Sequence, residues 1–392
     1  MKKVELLAPA GDANKLKLAL MYGADAVYLG GSKFGLRSAA TVDNDYLKEA
    51  VALAHSKGKK VYVTVNIFAR NGDFDEIKKY VKHLESIKVD AVIVSDLGVM
   101  RVVRENTKLE IHVSTQANVL NKYTAEEYVK LGAKRIILAR ECSIKEIKEI
   151  AAYVKGKCDI EVFVHGAMCV SYSGRCLLSN YMTGRESNRG ECAHPCRWKY
   201  TLVEEKRPDQ SFPIEEDEHG TYIMNSKDLC LINHLNDLEA AGVTNFKIEG
   251  RMKSEYYVAA VTGTYRRAID GEQFDRMEEI NKSAHRPWTT GFVFGENDHL
   301  YTTTTDAKST HQVTARCLGK DKISLLNYFC VGEELEILSP GANHNKTFIV
   351  THIKDDTGIE ITRANKAGYV YYIDCPYQLQ PDEFLRKKIS QD

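Results

Sequence analysis

Four cysteines fall within one stretch of 31 residues, "GAMCVSYSGRCLLSNYMTGRESNRGECAHPC", running from Gly166 to Cys196. Six residues separate Cys169 from Cys176, fifteen separate Cys176 from Cys192, and three separate Cys192 from Cys196. Clustered thiols of this kind bind metal or do redox chemistry in a reducing compartment. Two groups take four thiolates, zinc and an iron–sulfur cluster. Structural zinc sites favour pairs about two to four residues apart, which suits Cys192 and Cys196 but not Cys169 and Cys176. A [4Fe–4S] cluster tolerates irregular spacing, because each iron needs one sulfur from the chain. Spacing leaves both open. Cys230, in "NSKDLC", is a fifth candidate ligand and an alternative to Cys196. The remaining five, Cys142, Cys158, Cys317, Cys330 and Cys375, are scattered and read as small buried apolar residues.

A second set of chemical groups sits at the ends of short apolar runs. Side chains alternate along a strand. In "KIEGR", Lys247, Glu249 and Arg251 therefore share one face and oppose Phe246 and Ile248. In the same way Glu161, Phe163 and His165 oppose Val162 and Val164, while His112, Ser114 and Gln116 oppose Ile111 and Val113. Asn66, Asp96 and the pair Arg140–Glu141 each follow another such run. Lys247, Arg251 and Arg140 suit a carboxylate or phosphate, His165 and Glu249 suit proton transfer, and Gln116 and Asn66, at two further strand ends, complete the candidate site. A bland alternative is an ion-pair network that stiffens the mouth of a barrel, since buried charge is costly unless paired.

These groups need elements to position them. Strand-like runs occur at Val4–Leu7, Ala26–Gly30, Val61–Ile67, Ala91–Ser95, Ile111–Thr115, Arg135–Ala139, Glu161–His165 and Phe246–Glu249. Amphipathic stretches such as "DFDEIKKYVKHLESIK" lie between them, with apolar residues at three- and four-residue steps. Eight β/α units over residues 1–270 predict a (β/α)8 TIM-like barrel of the α/β class. An open doubly wound sheet is the other arrangement, but "LAPAGDANK" lacks the glycine fingerprint of a dinucleotide site. The Cys-rich residues 166–245 form an insertion between strands seven and eight. It would emerge at the barrel's C-terminal face, where barrel enzymes place their active sites. Within it, "VEEKRPDQSFPIEEDEHG" reads as an exposed loop or hairpin tip. Residues 271–300 read as a connector. Residues 301–392, with runs such as "HQVTARCLG" and "YVYYIDC", read as a small antiparallel β-barrel.

Composition narrows the classes. The chain has 392 residues and equal numbers of basic and acidic side chains, 54 of each, so no global field draws it to nucleic acid or an anionic membrane. An RNA partner would need a local patch, for which Arg185, Arg189, Arg197 and Lys199 are candidates, with Lys253, Arg266 and Arg267 beyond them. Tyr172, Tyr181 and Trp198 could stack on a base. No apolar run approaches the ~20 residues of a membrane helix, and the start "MKKVELLAPAGD" is too short in apolar character for a signal peptide. The expectation is a cytoplasmic protein with no membrane partner.

The quoted motifs, taken together with "ELLAPAG", "GADAVYLGG", "VFVHGAMCVSYSGRCLLSNY", "NRGECAHPCRW" and "FKIEGRMKSEYYV", strongly resemble the peptidase U32 family, and the tail from about Gln312 resembles that family's C-terminal domain. The family name records an early assignment as collagenase-like proteases. The presence of both domains and of "CAHPCRW" resembles its tRNA uridine hydroxylase branch. That resemblance implies oxygen-independent conversion of wobble uridine-34 to 5-hydroxyuridine, with prephenate, a dicarboxylate, as hydroxyl donor. It also implies a [4Fe–4S] cluster on Cys169, Cys176, Cys192 and Cys196, and tRNA as partner. A second protein of the same family is compatible as a further partner. The alternatives are hydroxylation of another RNA or a small molecule, and a U32 peptidase. For the latter the chain has no H-E-x-x-H helix and no G-x-S-x-G elbow. A Cys169–His165 nucleophile pair would use up a cluster ligand. Asp356-Thr357-Gly358 reads as a turn.

Overall fold

The computed structural model describes residues 4–31, 33–35, 44–169, 171–198, 216–217, 220–221, 226–295 and 307–389. These divide into two compact units. The first comprises residues up to Lys253, apart from Met21–Gly23, together with the described residues from Arg286 to Gly295; the second comprises Met21–Gly23, Ser254–His285 and the chain after Ala307.

The first unit holds eight parallel strands: β1 (Glu5–Pro9), β2 (Ala26–Gly30), β3 (Lys60–Val65), β4 (Ala91–Val94), β5 (Glu110–Val113), β6 (Arg135–Ile137), β7 (Asp159–Ala167) and β9 (Asn245–Ile248). Each pairs with the next. β9 then pairs with both β7 and β1, with Glu5 opposite Asn245, and the sheet closes into the expected barrel. β8 (Asp228–Cys230) lies antiparallel to the end of β7, with Cys230 opposite His165, and β10 (Trp288–Thr289) runs parallel to β8. Every residue of β2 and β4 is buried, as parallel strands covered on both faces require.

The helices between them are α1 (Ala13–Met21), α2 (Asn44–Ser56), α3 (Phe74–Ser86), α4 (Leu97–Asn106), α5 (Lys122–Lys130), α6 (Ile144–Tyr153), α7 (Leu178–Thr183) and α8 (Leu235–Ala240). α3 buries Ile77, Tyr80, Val81 and Leu84, the three- and four-step stripe visible in the sequence. α6 starts on a capping box in which the Ser143 hydroxyl accepts from the Glu146 amide and the Glu146 carboxylate accepts from Ser143. Asp96 and Asn121 cap α4 and α5.

The second unit contains α9 (Glu255–Ile269), α10 (Arg276–Ile280) and an eight-stranded curled antiparallel sheet. Its strands are β11 (His311–Gly319), β12 (Lys322–Leu325), β13 (Glu334–Leu338), β14 (Thr347–Ile349), β15 (Ile353–Lys354), β16 (Glu360–Ile361), β17 (Val370–Ile373) and β18 (Phe384–Lys388), in the order β14-β13-β18-β11-β12-β17-β15-β16. Phe329, Leu335, Ile337, Tyr371 and Leu385 belong to its apolar core. Arg386, fully buried on the face of β18 opposite Leu385, donates to Glu279 and Asn345 at 2.8 and 2.7 Å and pairs with Glu336. Asp356-Thr357-Gly358 is a turn, in which the Asp355 carboxylate accepts from the Thr357 and Ile359 amides. Of the 203–220 segment, the described residues show Glu216–Asp217 paired antiparallel with Gly220–Thr221, as a hairpin tip requires. Lys199, residues 296–300 of the expected connector and residues 301–306 of the expected C-terminal domain lie outside the described residues.

Two outcomes test this unit. Arg386→Met should destabilise it by up to about 3–5 kcal/mol, because Glu279 and Glu336 lose one of their two cations and keep only Lys282; denaturant unfolding followed by aromatic fluorescence measures it. Burial lowers the His311 imidazole to about 4, against partial opposition from Glu336. The unfolded imidazole gains its proton near pH ~6.5. His311 therefore lends stability that is present above that pH and lost as pH falls toward 4. His311→Gln should flatten this part of the melting-temperature profile.

Candidate active site

One cavity of about 450 Å³ opens at the C-terminal ends of the barrel strands and is roofed by the Cys-rich insertion. Its walls include Asn66, Gln116, Arg140, Lys247, Glu249 and Arg251, six of the seven strand-end residues singled out by type and position, together with Cys169, Cys176, Cys192 and Cys196. His165 is the exception. It is 1 % exposed, its ring packs 5.2 Å from that of Trp288 on β10, and it does not line the cavity. Simple alternation along β7 put it on one face with Glu161 and Phe163. The register between β7 and β9 shifts at Lys247–Ile248, so that Ile248 rather than Glu249 pairs with His165, and β8 adds on the other side of the strand.

The floor is charged and aromatic. Glu161, fully buried inside the barrel, accepts from Arg135 at 3.0 Å and pairs with Lys247 at 3.1 Å; Arg135 also bonds Glu5 at 2.7 Å. Lys247 stands 4.4 Å from the Tyr28 ring centroid and 5.3 Å from that of Phe163. Burial lowers its ammonium below the ordinary lysine range, and Glu161 works against that shift. The Arg140 guanidinium lies 3.9 Å from the Phe163 ring centroid, donates to the Ala167 carbonyl at 2.7 Å, and stands 3.7 Å from the Glu249 carboxylate. Arg251 is 4 % exposed and donates to the Thr64 hydroxyl at 3.3 Å. Lys253, offered by the sequence as part of an outer patch, lines this cavity instead, and burial lowers its ammonium too.

The opposite wall is neutral. Asn66 at the end of β3 donates to the Gln116 side-chain oxygen at 2.6 Å, and Ser114 at the end of β5 donates to the same oxygen at 2.7 Å.

Glycine makes two close approaches possible. A Cβ on Gly11, in "APAGD", would stand 2.1 Å from the Arg251 carbonyl oxygen. At Gly166, with φ +108°, a Cβ would stand 2.6 Å from the Glu249 carbonyl oxygen.

The insertion is fastened by side chains to three barrel loops. Glu141 after β6 accepts from the Ser173 amide at 2.7 Å, and the Ser173 hydroxyl donates to Asn118 at 2.7 Å. Arg175 donates to the Gln116 carbonyl at 2.8 Å. Arg189 forks onto Asp73 at 2.8 and 3.1 Å and also donates to the Phe68 carbonyl. That hydrogen bond holds the Asp73 carboxyl down at about 2. Arg189 is thus a fastening, where the sequence offered it as part of a phosphate patch. Arg266 and Arg267, in the second unit, pair with Asp270 and Glu272 on the same stretch of chain. Arg185 and Arg197 are exposed, as are Tyr172, Tyr181 and Trp198, with Tyr181 85 % exposed.

The donor set fits a thiolate-bound group. All four cysteines of the insertion line the cavity, whereas Cys230 is buried on β8 and does not. The Cys176 sulfur accepts the Leu178 amide at 3.3 Å, a bond suited to a thiolate. Burial raises the Cys196 thiol; Arg197 opposes this, while Cys169, Cys192 and Cys176 add to it, so the four sulfurs share one electrostatic neighbourhood. Among the described residues no three His, Cys, Asp or Glu side chains stand in a metal-holding group.

Sequence reasoning passed over Tyr28 and Asp73. Tyr28 was recoverable, since alternation along "AVYLG" sets it apart from Val27 and Leu29. Asp73 was not, because its partner lies 116 positions away. Arg189→Ala should loosen the insertion without unfolding the barrel. Proteolysis should then cut within residues 171–198 at least ~10-fold faster, while far-ultraviolet dichroism stays unchanged.

The model of peptidase family U32 matches residues 11–303, and that of the U32 C-terminal domain matches residues 310–386. Among similar proteins, tRNA hydroxylation protein P of Escherichia coli (strain K12) is 36 % identical, with 97 % of this chain and 95 % of that protein covered. The tRNA hydroxylation protein P1 of Bacillus subtilis (strain 168) is 37 % identical over 98 % of this chain and 95 % of that protein. The 23S rRNA 5-hydroxycytidine C2501 synthase of Escherichia coli (strain K12) is 36 % identical over 72 % of this chain and 42 % of that protein. With its barrel matched nearly throughout and its C-terminal sheet matched as well, the chain belongs to peptidase family U32.

Proposed function

We propose that this protein is an RNA hydroxylase that converts uridine-34 of tRNA to 5-hydroxyuridine, with prephenate as hydroxyl donor and a [4Fe–4S] cluster on Cys169, Cys176, Cys192 and Cys196. The observation that carries this reading is the meeting, in one cavity, of four thiols, a cationic floor and a neutral hydrogen-bonding wall. Near-full-length similarity to two proteins named for tRNA hydroxylation gives it its direction.

Each part of the cavity has a task. Arg140, Arg251 and Lys247 suit the two carboxylates of prephenate, and Lys247 is held in place by Glu161 from below. Glu249, beside Arg140 and 3.4 Å from the Tyr28 hydroxyl, suits taking or returning a proton. When bound, the cluster would supply redox or Lewis-acid capacity next to that centre. The uridine must leave its stack to enter, with Tyr172, Tyr181 or Trp198 at hand to stack on neighbouring bases. A peptidase using Cys169 with His165 has less support, since His165 faces Trp288.

The test is mass spectrometry of tRNA nucleosides from cells lacking the protein, complemented with wild type, Cys176→Ala or Arg251→Ala. The expected result is loss of 5-hydroxyuridine and its derivatives, restored by wild type alone. Protein purified without oxygen should carry iron and sulfide near four each per chain, and Cys176→Ala should lose both. An unchanged nucleoside profile, or stoichiometric zinc without iron, would overturn the reading.

A further inference from the structure

The Gln116 side chain is oriented by its neighbours more tightly than packing alone would require. Its oxygen accepts two hydrogen bonds, from the Asn66 amide at 2.6 Å and the Ser114 hydroxyl at 2.7 Å. Turning the amide over would set its NH2 against the NH2 of Asn66, two donors face to face. Ser114 is held in turn by the Gln116 backbone amide at 3.4 Å and by Asn66 at 3.5 Å. Ser114 and Asn66 are buried, and both sit at strand ends, so the support is rigid. The outcome is a set direction: the oxygen toward Asn66 and Ser114, and the nitrogen on the side of Gly174, which lines the same cavity. Among the described residues that nitrogen has no hydrogen-bond partner, although Gln116 lines the cavity wall.

A fixed donor on an uncharged wall selects among ligands. The cationic floor accounts for an anionic co-substrate, and the neutral wall is left to face an uncharged ring. Uracil and cytosine differ at position 4, next to the C5 that the proposed reaction hydroxylates. Uracil carries a carbonyl oxygen there, an acceptor, whereas cytosine carries an amino group, a donor. A donor aimed at that position favours the first and leaves two opposed donors with the second.

We infer that the Gln116 amide nitrogen, locked by Asn66 and Ser114, is the group that makes the site choose a uracil over a cytosine base. The inference rests on the RNA-hydroxylase reading and names a specificity residue for it.

The experiment uses the full chain and two anticodon stem-loop RNAs differing only in uridine or cytidine at position 34. Affinity is measured by fluorescence anisotropy, and turnover by nucleoside mass spectrometry with prephenate. Wild type should favour the uridine RNA by at least ~10-fold. Gln116→Glu keeps an oxygen for Asn66 and Ser114 but presents a second acceptor to the cavity; the preference should collapse or reverse toward cytidine. Gln116→Ala, which removes the donor, should bring the two RNAs to within ~3-fold of each other. Both variants should melt within a few degrees of wild type. An unchanged uridine-to-cytidine ratio in Gln116→Ala and Gln116→Glu would overturn the inference alone. Wild-type protein that neither binds nor hydroxylates either RNA would overturn the RNA reading and this inference with it.

Discussion

A fully buried carboxylate inside a barrel is tolerable only if cations surround it, and Glu161 meets that condition with Arg135 on one side and Lys247 on the other. Much of the site's lower geometry descends from this arrangement. Arg135 is drawn inward and recruits Glu5, whose carboxylate also accepts from the Tyr62 hydroxyl. Lys247 is drawn down to the floor, where Tyr28 and Phe163 flank it. Phe163 in turn carries Arg140 over its face. Strands β1, β2, β3, β6, β7 and β9 are thus coupled through side chains as well as through their backbone ladder. The charged residues of the cavity are the upper end of a network that begins deep in the barrel.

Above that floor the chain separates two jobs. Rigid strand ends carry the polar groups, while a long loop carries the thiols. A loop of this length would be a poor platform for chemistry if its shape depended on its own few short turns. It depends instead on Glu141, Asn118, Gln116 and Asp73, each from the barrel's own connections. Thiol placement therefore inherits precision from the strands.

The barrel was legible because hydrophobic periodicity switches cleanly between two and 3.6 along most of the first 250 residues, and all eight expected runs are strands within a few residues of their expected bounds. The cavity was largely legible too, since Lys247 stands between Phe246 and Ile248 on β9, and Glu249 and Arg251 follow at its end with the same alternation. His165 shows what alternation misses. A strand that gains an irregular register and a second neighbour no longer has two simple faces, and neither β8 nor the shift leaves a local mark in "EVFVHGA". The fastening by Arg189 was equally hidden, because a lone arginine in a loop looks the same whether it faces solvent or a carboxylate 116 positions away.

The seam between β1 and β9 joins Glu5 to Asn245, 240 positions later (245 − 5). During synthesis, then, β1 waits with one edge unpaired until almost the whole barrel has been made. Just beyond that seam Gly11 backs onto the main chain of Arg251, a residue that lines the cavity. Until the ribosome has delivered residue 251 the floor is incomplete, yet the cysteines have already emerged. The nascent chain thus passes through a stage with an open sheet edge and unshielded thiols together. It is the stage at which a chaperone would matter most, and at which truncation by a few tens of residues near 245 would cost the entire first unit rather than its last strand.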